Sequence, residues 1–156
     1  MLIAMSIQSR KQEHVELTLS RNVEYRSKTN GLEKWEFVYN ALPELDAAEI
    51  DTSVTFLGHH LHLPLMVTGM TGGYPDAERI NADIADACCE LGIAMGVGSM
   101  RAALESDVPD PSFSVLRSRA HRIPVIANIG AVQAVRWHRA GTLGAMVDAA
   151  VGMVGA

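Results

Sequence analysis

The chain has 156 residues and a formal net charge of −5 at pH 7, with 48% hydrophobic and 20% charged residues. This composition is ordinary for a globular domain, and the acidic balance argues against nucleic-acid binding, which normally needs a basic face. The short apolar run from Met1 to Met5 follows no basic segment, so we expect neither a signal peptide nor a membrane span.

The pattern of residues 1–63 differs from that of the following segments and predicts an N-terminal extension that packs on the rest of the chain. Residues 9–20 have the spacing of an amphipathic helix, and residues 34–45 mix aromatic and apolar side chains. Residues 53–63 predict a short hairpin around Gly58.

The predicted first helix carries a cluster of cationic side chains. Arg10 and His14 share a helix face, and Lys11 lies beside them. Such a patch suits a diphosphate ligand. On charge patterning alone, however, a solvated face balanced by Glu13 and Glu16 explains it better.

Residues 64–156 predict three successive strand-turn-helix units of about 30 residues, the length of a βα unit. The predicted strands are apolar without alternation, which is typical of parallel strands covered on both faces. They comprise residues 64–68, 93–97 and 124–128. The predicted helices run from Pro75 to Leu91 before Gly92, around Phe113 to Ala120, and from Leu143 to Val154.

This repetition predicts an α/β fold, and either a doubly wound sheet or a barrel fits three such units. The adjacent Cys88 and Cys89 fall on the first of these helices, where neighbouring side chains point apart. That arrangement favours two reduced thiols and a cytoplasmic protein.

Small and polar residues follow each predicted strand, at Thr68–Gly73, Gly96–Arg101 and Ala127–Ala131. Thr71 and Asn128 offer hydrogen bonds, and the glycines let a flat ligand approach the backbone. Each loop alone also fits a tight turn, but three in succession favour a binding site.

Other patterns carry less weight. The Gly96-Val97-Gly98 sequence lacks the third glycine of a dinucleotide fingerprint, and no phosphate-binding P-loop motif is present. His59, His60 and His62 have no carboxylate or cysteine at ligand spacing, so we interpret them as a surface turn and expect no metal site.

Taken in order, the motifs resemble those of the type 2 isopentenyl-diphosphate isomerases, and the similarity runs collinearly from about residue 9. The motifs are Arg10-Lys11-x-Glu13-His14, Ala41-Leu42-Pro43-Glu44-Leu45, Met70-Thr71-Gly72-Gly73, Ile80-Asn81, Gly96-Val97-Gly98-Ser99-Met100-Arg101 and Ala127-Asn128-Ile129-Gly130-Ala131. The resemblance implies a partial (β/α)8 TIM barrel, with an extension at residues 1–63 and about three βα units at residues 64–156.

The resemblance also implies a reaction and its cofactors. Enzymes of this family interconvert isopentenyl and dimethylallyl diphosphate in isoprenoid biosynthesis. They use reduced FMN, Mg2+ and a nicotinamide reductant such as NADPH, and we expect a homo-oligomer in the full-length form. The flavin-lining residues would be Gly69, Met70, Thr71, Ser99 and Asn128. The substrate-binding residues would be Arg10, Lys11, Ser99, Met100 and Arg101, with His14 a weaker candidate.

Two departures from the family pattern qualify this resemblance. Met100 stands where the family usually has glutamine, which removes one polar substrate contact. The chain also stops where the fourth barrel strand would begin, so no catalytic residue and no Mg2+ ligand is expected within it. We therefore expect the isolated chain to be inactive, and to be marginally stable or self-associating because strand edges stay uncovered.

Two alternatives remain open at this point. Another FMN-dependent barrel oxidoreductase, of the 2-hydroxy-acid oxidase type, would share the flavin contacts at the strand ends. The other alternative is a half-barrel that acts as an assembly module, pairs with a partner and catalyses no reaction.

Overall fold

A computed structural model of the protein describes residues 7–156, with side chains described from Ser9 onward. It shows an α/β fold with one antiparallel hairpin and one parallel sheet. The elements in chain order are α1 (Ile7–Ser20), β1 (Val54–Phe56), β2 (His59–Leu61), β3 (Met66–Val67), α2 (Ala77–Leu91), β4 (Ala94–Gly96), α3 (Arg101–Leu104), α4 (Pro111–Ser114), α5 (Leu116–Arg119), β5 (Val125–Ile126), α6 (Ala131–Arg139) and α7 (Leu143–Val154).

The parallel sheet has the order β3-β4-β5, so strands that follow one another in the chain also lie side by side. Met95 of β4 pairs with Val67 of β3 and with Val125 of β5. The three predicted strands are thereby confirmed as parallel neighbours. Their carboxyl ends lie at one edge, which brings the loops that follow them together.

Helix α2 confirms the first predicted helix, and Gly92 ends it with a left-handed φ of 63°. Its Ala85 and Cys88 are buried in the core together with Met95. Leu91, the last residue of the helix, is 52% exposed. The buried face of α2 therefore does not reach its last residue.

The second and third units differ in part from the prediction. The helix expected around Phe113 to Ala120 is divided into α4 and α5, which meet at Val115. Helix α7 has the predicted bounds. Helix α6 was not predicted, because it begins after Gly130 without a capping side chain or an acidic first turn.

The hairpin is confirmed, and its turn at Leu57 and Gly58 has positive φ at both residues (50° and 79°). A turn of this kind matches the twist of two antiparallel strands. Helix α1 is also present, but of its described side chains only Lys11 and Val15 are half-buried. An apolar face packed on the core, as an amphipathic helix would have, is therefore not seen.

Residues 21–52 lie almost entirely exposed, with short 3-10 turns at Leu32–Lys34 and Ala47–Glu49. The contacts that position the N-terminal part accordingly come from α1 and the hairpin. Within residues 7–156, no helix is both long and apolar enough to cross a bilayer.

Candidate functional site

Backbone hydrogen bonds join the three loops at the carboxyl edge of the sheet. The Gly98 N–H donates to the Thr71 carbonyl at 2.8 Å, and the Met100 N–H donates to the Asn128 carbonyl at 3.0 Å. Each loop is thus linked to the next one. Polar groups from separate parts of the chain consequently face one region.

Helix α1 lies over the first two loops and closes a cleft of about 330 Å³. A cleft of this size is within the range of small-molecule sites. Its lining includes most of the predicted substrate-binding side chains and, in addition, His14. The lining residues are Arg10, Lys11, His14, Met70, Ser99, Arg101, Ala102 and Gln133.

Lys11 makes the polar connection between α1 and the loops. Its Nζ donates to the Gly72 carbonyl, and to the Ser99 carbonyl at 3.0 Å. The ammonium group also lies 5.7 Å from the centroid of the Phe113 ring. These contacts hold Lys11 in a defined position. The side chain is half-buried, so it stays partly open to solvent.

The environment of Lys11 has opposing effects on its pKa. Burial lowers the pKa below its ordinary value, and the nearby Asp110 carboxylate acts against that shift. Because burial is the larger influence, Lys11 loses its proton more readily than a solvated lysine. A bound anion would stabilise the charged form.

Arg101 is the first residue of α3 and opens onto the same cleft. Its Nε lies 3.1 Å from Glu105 Oε2, in an ion pair whose side chains are both about one-third exposed. Exposed pairs of this kind contribute little because water screens them. A dianionic ligand can therefore compete for the guanidinium.

The predicted flavin-lining residues fall into adjoining hollows. Gly69 and Asn128 line one of about 240 Å³ at the strand ends, whereas Thr71 lines a smaller one beside α1. Met70 is 73% exposed and borders both the cleft and the smaller hollow. Residue 69 must be a glycine, because a Cβ there would overlap the Val97 carbonyl oxygen.

Met100 does not line the cleft. Its side chain is fully buried in the hydrophobic core, and it precedes α3 as the N-cap residue. The resemblance to the isomerases predicts a substrate contact at Met100. Its burial argues against a contact between this side chain and a ligand.

A buried polar network supports the loop that follows β3. Asn81 accepts a hydrogen bond from the Thr71 hydroxyl and donates to the Ser112 carbonyl at 2.6 Å. Ser112 Oγ accepts from the Gly73 N–H at 2.8 Å and donates to Asp110 Oδ1 at 2.7 Å. The sequence analysis quoted Asn81 only as part of the Ile80-Asn81 motif and did not predict this network.

Gln133 of α6 also lines the cleft, and it was not among the predicted site residues because α6 was not predicted. The hairpin histidines His59, His60 and His62 are exposed. Among the described residues, no group of three or more histidine, cysteine, aspartate or glutamate side chains is placed to hold a metal ion.

Comparison with known proteins identifies sequence relatives of this chain. The chain is 48% identical to an isopentenyl-diphosphate delta-isomerase of Chlorobaculum parvum over 78% of its own length and 34% of the relative. It is 47% identical to that of Chlorobium chlorochromatii, over 89% of the chain and 39% of the relative. A Methanothrix thermoacetophila isomerase is 48% identical over 82% of the chain and 35% of the relative.

The chain therefore spans little more than a third of the length of the curated relatives it matches. The family model described as FMN-dependent dehydrogenase matches residues 4–136, which is most of the chain. The protein belongs to the FMN-dependent dehydrogenase family.

Proposed function

We propose that this chain provides the first three βα units of an FMN-dependent (β/α)8 barrel that interconverts isopentenyl and dimethylallyl diphosphate. The observation that carries the proposal is the cleft in which Arg10, Lys11 and Arg101 converge beside the strand-end loops. Three cationic groups from two separate segments suit the diphosphate of the substrate. The relatives named isopentenyl-diphosphate delta-isomerase support the same reaction.

The residues at the strand ends fit a flavin ring. Gly69 permits close approach to the backbone, and Asn128 offers an amide beside the apolar Ile126 and Ala127. A flat ring with polar edges needs this combination of apolar surface and hydrogen-bonding groups. Gly69, Met70, Thr71, Ser99 and Asn128 would line FMN, which when bound supplies the proton transfers of the isomerisation.

In this proposal the residues of the chain bind and orient the substrate. Lys11 and Arg101 hold the diphosphate, Arg10 adds to the positive field of the cleft, and His14 borders the same cleft. The Thr71 hydroxyl donates to Asn81 and the Thr71 carbonyl accepts from the Gly98 N–H, so Thr71 is held in a fixed position beside the flavin. The described residues do not fit an Mg2+ site, because no three acidic, histidine or cysteine side chains among them come together at one point.

Several wider properties belong to the same proposal. We place residues 1–63 as an extension and residues 64–156 as barrel units of a cytoplasmic homo-oligomer that uses NADPH to reduce its flavin. The 2-hydroxy-acid oxidase alternative has support in the family description, which names dehydrogenases. The cationic cleft favours a diphosphate over a single carboxylate.

The test is an assay of the protein encoded by its whole reading frame. With reduced FMN, Mg2+ and isopentenyl diphosphate, proton NMR should show dimethylallyl diphosphate forming. If instead 2-hydroxy acids reduce bound FMN and isopentenyl diphosphate stays unchanged, the oxidase alternative is correct.

A further inference from the structure

We propose that Asp110 and Ser112 are positioning residues that hold the Lys11 ammonium group in place for the anionic ligand. This inference rests on the proposed function for the identity of that ligand. The contacts that carry it lie within the described structure and link α4 to α1 through the loop after β3.

Hydrogen bonds run continuously from the carboxylate to the lysine. Asp110 caps α4 by accepting from the Ser112 N–H at 2.9 Å, and it also accepts from the Ser112 hydroxyl at 2.7 Å. The hydroxyl oxygen accepts from the Gly73 N–H at 2.8 Å. This bond fixes the peptide that joins Gly72 to Gly73, and the carbonyl of that peptide accepts from Lys11.

Asp110 also faces Lys11 directly across Gly73. A Cβ at Gly73 would lie 2.6 Å from Lys11 Nζ and 3.7 Å from Asp110 Oδ2, so the two charged groups border the same point. Gly73 has a φ of 78°, and the absence of a side chain leaves this space to the lysine.

The placement of Asp110 separates its charge from the ligand. Asp110 lines a separate hollow with Tyr74 and Glu78, and it is absent from the lining of the cationic cleft. The other ionisable groups beside Lys11 in the cleft are Arg10, His14 and Arg101. Asp110 can therefore orient Lys11 and stabilise its charge without repelling an anion at short range.

The experiment compares Asp110→Asn and Ser112→Ala with Asp107→Asn, which removes an exposed carboxylate from the same surface loop. The protein encoded by the whole reading frame is used with no ligand. Reductive methylation of Lys11 is followed by mass spectrometry from pH 7 to pH 11. The inference predicts that Asp110→Asn moves the labelling profile of Lys11 to lower pH and that Asp107→Asn leaves it unchanged.

The second measurement is calorimetric titration with inorganic pyrophosphate at pH 7. Asp110→Asn and Ser112→Ala should each weaken binding by about tenfold, the size expected when a hydrogen bond to a charged group is disturbed. A Lys11 labelling profile that is identical in all variants would overturn the inference. If the wild-type protein does not bind pyrophosphate but the profile still shifts, the proposed ligand is wrong and the positioning role stands.

Discussion

Lys11 shows how much one side chain can depend on groups distant in sequence. Two backbone carbonyls, from Gly72 and Ser99, accept its hydrogen bonds. The lysine is thereby oriented before any ligand arrives, which reduces the entropic cost of binding. The same burial that orients Lys11 also lowers its pKa.

This pKa shift predicts a pH dependence. Only protonated Lys11 attracts an anion, so pyrophosphate affinity should fall as the pH rises through a value below the ordinary lysine pKa of about 10.4. Lys11→Arg should keep its affinity to higher pH, because the guanidinium stays charged. Titration calorimetry at several pH values checks this, and a parallel loss in both proteins would contradict it.

At the scale of elements, glycines determine how closely the loops approach their neighbours. Gly72 has a φ of 141°, and a Cβ there would overlap the ring of Phe113. Gly152 lies inside α7 with open space around it. An added methyl group would therefore clash at residue 72 but fit at residue 152.

We expect Gly72→Ala to destabilise the protein by roughly 1–3 kcal/mol, through backbone strain and a clash with Phe113. Gly152→Ala should stabilise it by about 0.5–1 kcal/mol, because alanine is the better helix former. Urea unfolding of both variants measures these changes. If Gly72→Ala leaves the free energy of unfolding unchanged or raises it, the loop tolerates a side chain at residue 72.

The sequence predicted the sheet well because its signals were local. Apolar runs ending in glycine located the three strands, and Gly92 marked the end of α2. Helix α6 was missed because no capping side chain marks its start after Gly130. The network of Asp110 and Ser112 depends on contacts with Gly73 and Asn81, which are distant in sequence. Met100 was assigned from its place in the family motif, whereas its burial in the core is set by tertiary packing.

At the scale of the whole molecule, charge and apolar surface are unevenly distributed. The net charge is −5, yet cationic residues gather at one cleft. Trp35, Phe37 and Tyr39 are all more than 80% exposed. In the described structure the parallel sheet also has β3 and β5 as open edges. Surfaces of this kind favour association.

The 156-residue chain by itself should therefore bind a hydrophobic dye and melt at a temperature that depends on protein concentration. Phe37→Ser should lower dye binding. The matched change Tyr25→Ser, which lies outside the group of Trp35, Phe37 and Tyr39, should have less effect. Fluorescence titration and melts at several concentrations provide the measurement. A sharp, reversible melt that is independent of concentration would contradict this expectation.

The most direct test of the cationic cleft as a diphosphate site is a calorimetric titration with isopentenyl diphosphate of the protein encoded by the whole reading frame. The wild type should bind saturably. Lys11→Ala should weaken binding by about tenfold or more, as expected for loss of a charge-assisted contact. Lys34→Ala, which removes an exposed lysine that does not line the cleft, should leave the affinity unchanged. Equal affinities in all three proteins would show that the diphosphate binds elsewhere.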